Sequence, residues 1–345
     1  MASDSSVMRA VGIQQLGDAS VLQDVTLPKP TATAWDVVVQ LKACAVNPVD
    51  WKLRASNLGM PFPENETKVL GYDGSGVVVE CGENASQKFK TGDEVFFAGN
   101  CLRNGTNADF CAVDSRLIAK KPQSLSFEQA AAFPLVAITG WENLCESAGI
   151  DKAKKTVLIL AGAGGCGSFG IQLAKLYGCT VVATASSPES EKWCKNLGAD
   201  YVISHSGGKT LLEELKEKTP LSAVDVAYVC HDDKRYSSEV TAVVGAMGVI
   251  CPVVTFFPDE GTCMDMYLNR KSLCYGMMFC RGIHGKQPEK QGELLEKVAK
   301  FIDEGKLKPI ATEILSGGLS AETFRKAHDL QESGHMRGKI VVPFA

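Results

Sequence analysis

The stretch LAGAGGCGSFG, residues 160–170, constrains this chain more than any other. It follows the apolar run TVLI and leads into IQLAKLYG, so a buried strand turns through glycines into a helix. Gly162, Gly164 and Gly167 match G-x-G-x-x-G, with Gly165 as an extra glycine. The first glycine permits the tight turn, and the second lets a pyrophosphate approach the backbone. The third brings helix and strand together, leaving helix-end N–H groups aimed at phosphate. In a βαβ unit of roughly 30 residues, this pattern reads as a dinucleotide cradle. The next strand ends VVATASSPESEK. A cofactor with a free ribose 2′-hydroxyl is usually held at that strand end by Asp or Glu. Here the chain offers Ser186, Ser187 and Lys192, which suit a phosphate ester, so the expected cofactor is NADPH. Glu189 and Glu191 lie close by and must turn toward solvent.

Composition closes off other classes. A net charge of −4 gives no basic footprint for nucleic acid. The most membrane-like segment, the charge-free run Thr156–Ala174, carries five glycines and belongs to the strand–turn–helix, so no membrane span is expected. The first ten residues lack the apolar core of a signal peptide. The thirteen cysteines are an odd number without any C-x-x-C spacing, which suits reduced thiols and a cytoplasmic location.

The first third reads as short strands: Arg9–Ile13, Asp36–Val46, Gly76–Cys81, Asp93–Phe97 and Asp109–Val113. Ser126 with Gln129 three residues on forms a capping box that opens a helix. From there strands and helices alternate, as in a doubly wound parallel sheet. Within that region CYGMMFC reads as a buried central strand, with a substrate-pocket lining as the other reading. An amphipathic helix over Glu293–Glu304 stops at Gly305, and GKIVVPF forms a last strand.

The segments AVNPVDWKLR, LGYDGSGVVVECG, GDEVF, LSFEQAAAFP, GAGGCG, LGADYVI and GKIVV occur in this order over nearly the whole chain. Together they resemble the zinc-independent quinone oxidoreductase branch of the medium-chain dehydrogenase/reductase superfamily. The C-terminal QGELLEKVAKFIDEGKL and AHDLQESG are similar to the branch named zinc-type alcohol dehydrogenase-like proteins. The resemblance implies an α/β protein in which a GroES-like β-rich catalytic domain is joined to a Rossmann doubly wound parallel-sheet domain. We expect residues 1–127 with 309–345 in the first and 128–308 in the second, a cleft between them, and a homodimer. It also implies that Thr139 lies near the nicotinamide. Gly164, Gly165, Cys166 and Gly167 would hold the pyrophosphate, and Ser186, Ser187 and Lys192 the 2′-phosphate. His205 stands where relatives often carry a tyrosine that touches the same phosphate.

Zinc-dependent relatives have a cysteine at the position of Asn47 and a histidine at that of Tyr72. They have a further cysteine near Phe133–Val136, and four close-set cysteines between positions matching Phe96 and Phe110. This chain lacks those sets, so no metal is expected. Without a Lewis acid an isolated carbonyl is a poor hydride acceptor, whereas an enone, enal or quinone spreads charge onto its oxygen. Lys52, Asn47 and Tyr72 are the candidate catalytic residues around the cleft, with Asp50 orienting backbone and neighbours. Lys52 serves as the oxyanion donor or is a solvated surface lysine; Asn47 binds cofactor ribose or substrate; Tyr72 donates a proton or only packs. Two other functions stay open: a trans-acting enoyl reductase working on acyl thioesters for a partner synthase, and a low-turnover NADPH-binding sensor or partner protein.

Overall fold

The computed structural model describes residues 6–59, 62, 66–204, 208–231 and 236–344. The chain divides into two units, Met1–Leu135 with Phe279–Ala345, and Val136–Met278. No helix among the described residues is long and apolar enough to cross a membrane.

The first unit is built around one long strand, Asp36–Val46, whose apolar side chains are buried on both faces. It pairs antiparallel with Gly74–Cys81 on one side. At its start it pairs with Phe110–Asp114, and at its end with Lys339–Pro343. The full sheet has seven strands and includes Ala311–Ile314, Glu94–Phe97 and Ile118–Lys120. Val37, Val39, Val78, Val95 and Phe97 form its core. A side chain of this size contributes about 1.5–3 kcal/mol by leaving water. A second, three-stranded sheet joins Gln23–Pro28, Val7–Ile13 and Lys68–Val69. The C-terminal segment is therefore an integral strand of the first unit, with Ile340 opposite Val46 and Pro343 opposite Ala43.

The second unit is a six-stranded, wholly parallel sheet. Its order is Tyr201–Ser204, Thr180–Ala185, Thr156–Leu160, Val224–Val229, Val244–Pro252 and Ser272–Leu273. The chain winds outward one way from Thr156–Leu160, then returns to that strand's other side and winds the opposite way. This reversal leaves a crevice beyond the ends of Thr156–Leu160 and Val224–Val229, the usual ligand position in such sheets.

Two sequence expectations need correction. Residues 279–308 go with the first unit, not with the parallel sheet. The helix Glu289–Asp303 buries Leu294, Leu295, Val298 and Ile302. Its Gly292 lies so close to the first unit that a Cβ would come within 2.6 Å of the Arg116 carbonyl oxygen. Asp303 then accepts the Ser124 N–H at 2.9 Å. The second correction concerns CYGMMFC. The strand stops at Leu273, at the edge of the sheet, leaving Tyr275 56% and Met277 46% exposed. An apolar run reads as central only if strands flank it on both sides, and here only Val244–Pro252 does.

Candidate active site

The glycine loop opens at the end of Thr156–Leu160. Ala161 takes the left-handed conformation (φ +58°), uncommon for a residue with a Cβ, and so starts the turn. A Cβ on Gly162 would come to 2.8 Å of Ala183 Cβ, and one on Gly167 to 2.3 Å of the Ala161 carbonyl oxygen. Both glycines are therefore demanded by the protein's own packing. Gly164 differs, because a Cβ there would meet nothing nearer than 3.5 Å. The protein leaves space at that glycine for something else to approach. Gly164 is the N-cap of the helix Gly165–Leu176 and offers no side-chain cap, so the first-turn N–H groups of Gly165, Cys166 and Gly167 face the crevice unclaimed by one. Such a cradle fits a pyrophosphate.

Ser187 caps the next helix, Pro188–Asn196, accepting the Ser190 N–H at 3.2 Å. Ser186 and Lys192 are exposed beside it. Glu191 pairs with Lys195 along the same helix at 2.6 Å. Thr139 is buried in Pro134–Gly140, and its carbonyl accepts the Asn143 amide at 2.8 Å. His205 lies outside the described residues, as do Asp232 and Asp233.

The structure brings Asn47, Asp50 and Tyr72 of the first unit together, and adds two residues that the sequence reading missed. Lys339, 3% exposed, reaches Asp73, 0% exposed, at 2.9 Å. The same ammonium donates to the Asn47 amide oxygen and, at 3.2 Å, to the Val46 carbonyl. Asp73 also accepts the Asn47 amide at 2.8 Å and the Leu135 N–H at 2.7 Å. Burial pushes the Asp73 carboxyl up, and these three donors pull it back. Asp50 sits in the first turn of Pro48–Ser56 and accepts the Asn47 N–H at 2.6 Å. It orients backbone, as expected, but its other oxygen is buried without a partner. Burial raises its pKa to about 7, against the pull of that N–H and of Lys339. Tyr72 is fully buried, stacks edge-on against Phe279 and has no partner for its hydroxyl, so burial holds the phenol well above its ordinary pKa. Lys52 lies two residues after Asp50 on the same helix, half-buried, with its ammonium 5.8 Å from the centre of the Trp51 ring.

These residues do not fit zinc. Asn47 presents an amide and Tyr72 a protonated phenol, neither of them a usual zinc ligand. An ammonium already stands among the carboxylate and amide oxygens, where a metal cation would be repelled. Burial also raises the neighbouring Cys44 thiol well above its ordinary pKa, away from the thiolate that zinc requires. Among the described residues no group of three His, Cys, Asp or Glu side chains is arranged to hold a metal ion.

Residues 33–123 match the alcohol dehydrogenase GroES-like domain, and residues 165–299 match the zinc-binding dehydrogenase family. A zinc-type alcohol dehydrogenase-like protein of Staphylococcus aureus is 33% identical over 97% of this chain and 99% of its own. A Rhizobium etli protein provisionally described as a zinc-dependent alcohol dehydrogenase superposes with a TM-score of 0.90 at 36% identity, covering 98% of each chain. The quinone oxidoreductase of Coxiella burnetii gives 0.79 at 26% identity, covering 98% of this chain and all of that one. Fold and cradle thus define a nicotinamide-dinucleotide-dependent oxidoreductase with a GroES-like domain and a Rossmann-like parallel sheet. The chain belongs to the zinc-type alcohol dehydrogenase-like proteins of the medium-chain dehydrogenase/reductase superfamily.

Proposed function

We propose that the protein reduces enones, enals or quinones with NADPH and without zinc. The observation that supports this reading is the buried Lys339–Asp73–Asn47 cluster, which sets an ammonium against Asn47, the residue that the resemblance aligns with a cysteine ligand of zinc-dependent relatives. Once bound, a reduced nicotinamide supplies the hydride. The chain's own task is to orient the acceptor and stabilise the charge that develops on its oxygen. Asn47 is poorly placed for this, because both ends of its amide are engaged inside the cluster. Lys52 is the leading oxyanion donor, and the unpartnered Tyr72 phenol is the second.

NADPH over NADH is supported by the exposed Ser186 and Lys192 and by the pairing of Glu191 with Lys195. A carboxylate facing the 2′-phosphate would repel it. A homodimer is supported by the apolar side chains that the second unit exposes, among them Met247, Phe257, Tyr267 and Leu268, each at least 70% exposed. The thirteen thiols support a cytoplasmic setting, where cysteines stay reduced.

The test is NADPH oxidation by the purified protein against quinones, enals, enones and enoyl thioesters, with and without a strong chelator. Turnover of conjugated carbonyls or quinones that the chelator leaves intact supports the reading. Turnover confined to enoyl thioesters moves the protein to acyl-chain reduction. Turnover with none of them removes the enzymatic proposal.

A further inference from the structure

Cys166 and Cys230 meet at the dinucleotide crevice, and the reduction chemistry proposed above uses neither thiol. Cys230 directly follows Val229, which lies in register with Leu160, so Cys230 stands beside Ala161 at the mouth of the glycine loop. Cys166 is in the first turn of Gly165–Leu176, and the next residue, Gly167, is pressed against the Ala161 carbonyl. Both cysteines therefore border the glycine loop. Between them rises Tyr228, fully buried, whose hydroxyl makes no regular hydrogen bond and lies against both sulfurs. Both cysteines are half-buried, which leaves them within reach of a small oxidant.

We propose that Cys166 and Cys230 form a redox-modifiable pair, which a hydroperoxide converts to an intramolecular disulfide that closes the dinucleotide crevice. An anion is favoured in the first turn of a helix, so Cys166 is the attacking thiol. Its sulfur takes one oxygen of hydrogen peroxide, the O–O bond breaks, and a sulfenic acid and one water result. The Cys230 sulfur then attacks that sulfur. The S–S bond forms and the hydroxyl leaves as a second water, so two thiols are oxidised by two electrons and one peroxide is reduced. Burial holds Cys230 as a thiol, which suits it to the resolving role. A disulfide requires Cα atoms about 4.4–6.8 Å apart, so forming it ties the start of the helix to the end of Val224–Val229. That tie crosses the space where a pyrophosphate meets the backbone. Conversely, a bound dinucleotide covers Cys166.

The experiment treats the dinucleotide-free protein with hydrogen peroxide and maps its peptides without reduction. NADPH binding is then titrated by fluorescence. We expect a Cys166–Cys230 linked peptide, at least tenfold weaker NADPH binding, and recovery of both on adding dithiothreitol. Saturating NADPH before the peroxide should suppress the linkage. In Cys230→Ser the linkage should be absent, and Cys166 should instead carry a sulfenic acid that dimedone traps. Oxidation confined to other thiols, such as the exposed Cys263 and Cys280, would overturn the proposal. So would a linkage that forms equally fast with NADPH bound. Peptide mapping reads the linkage independently of which dinucleotide the protein prefers, so this result stands apart from the NADPH assignment.

Discussion

Replacing Asp50 by asparagine should make the protein more stable at pH 8 and remove much of its loss of stability above pH 5. In the folded chain the Asp50 carboxyl titrates at about 7, against an ordinary value of 3.8 that also applies to the unfolded chain. Burial is the main cause; the nearby Asp73 carboxylate adds to it, while the Asn47 N–H and Lys339 oppose it. The folded state therefore binds a proton that the unfolded state has already released. Stability from this group is fully present below 3.8, declines as pH rises, and is lost above about 7. At about 1.4 kcal/mol per pH unit the whole interval is worth about 4 kcal/mol, and the part between pH 5 and pH 8 about 3 kcal/mol. Asparagine keeps an oxygen to accept the Asn47 N–H and carries no charge at any of these values. Urea unfolding followed by tryptophan fluorescence at pH 5, 6, 7 and 8 reads the difference. Relative to Asp50→Asn, the wild type should lose stability steadily from pH 5 to about 7 and then level off. Parallel profiles would refute the reasoning, and so would a wild type that gains on the variant as pH rises.

Further outcomes are expected. Lys192→Ala should weaken NADPH binding about tenfold or more, the worth of a charged hydrogen bond, and leave NADH binding unchanged in a fluorescence titration. Lys52→Met should slow single-turnover NADPH oxidation by an enone about a hundredfold with NADPH affinity intact; a rate within threefold of wild type removes Lys52 from the chemistry. Elemental analysis should find less than one zinc per chain, and a strong chelator should leave the rate unaltered. Gly167→Ala should abolish dinucleotide binding measured by calorimetry, because its methyl group would sit 2.3 Å from the Ala161 carbonyl oxygen and force the loop open.

The cradle was legible because its determinants are local. Strand, glycines and helix follow one another within residues 156–176, and Gly162 and Gly167 each have a nearby steric reason. The Ser126–Gln129 capping box was legible for the same cause and is present in full. The Lys339–Asp73 pair was not, since its members are 266 positions apart and no periodicity links them. A lysine at the head of GKIVV reads as a polar strand end, because lysines are seldom buried unless paired. The one usable hint was Asp73, an acid set between the apolar VLGY and the strand Gly74–Cys81, which needed a cation from somewhere. The edge position of Ser272–Leu273 was hidden likewise, because apolar composition records that a strand is covered and not by what.

The first unit is assembled from both flanks of the second, and this orders events during synthesis. Residues 136–278 emerge as one continuous run and can complete their parallel sheet while translation continues. The antiparallel sheet cannot. Its strand Asp36–Val46 is made early, yet waits for Lys339–Pro343 to cover one edge and for Lys339 to neutralise Asp73. Until then a long apolar strand edge and a buried carboxylate are both uncompensated, and the nascent chain presents a template for mispairing. Chaperone dependence in this protein should therefore centre on Asp36–Val46, and should end when Lys339–Pro343 arrives to pair with it.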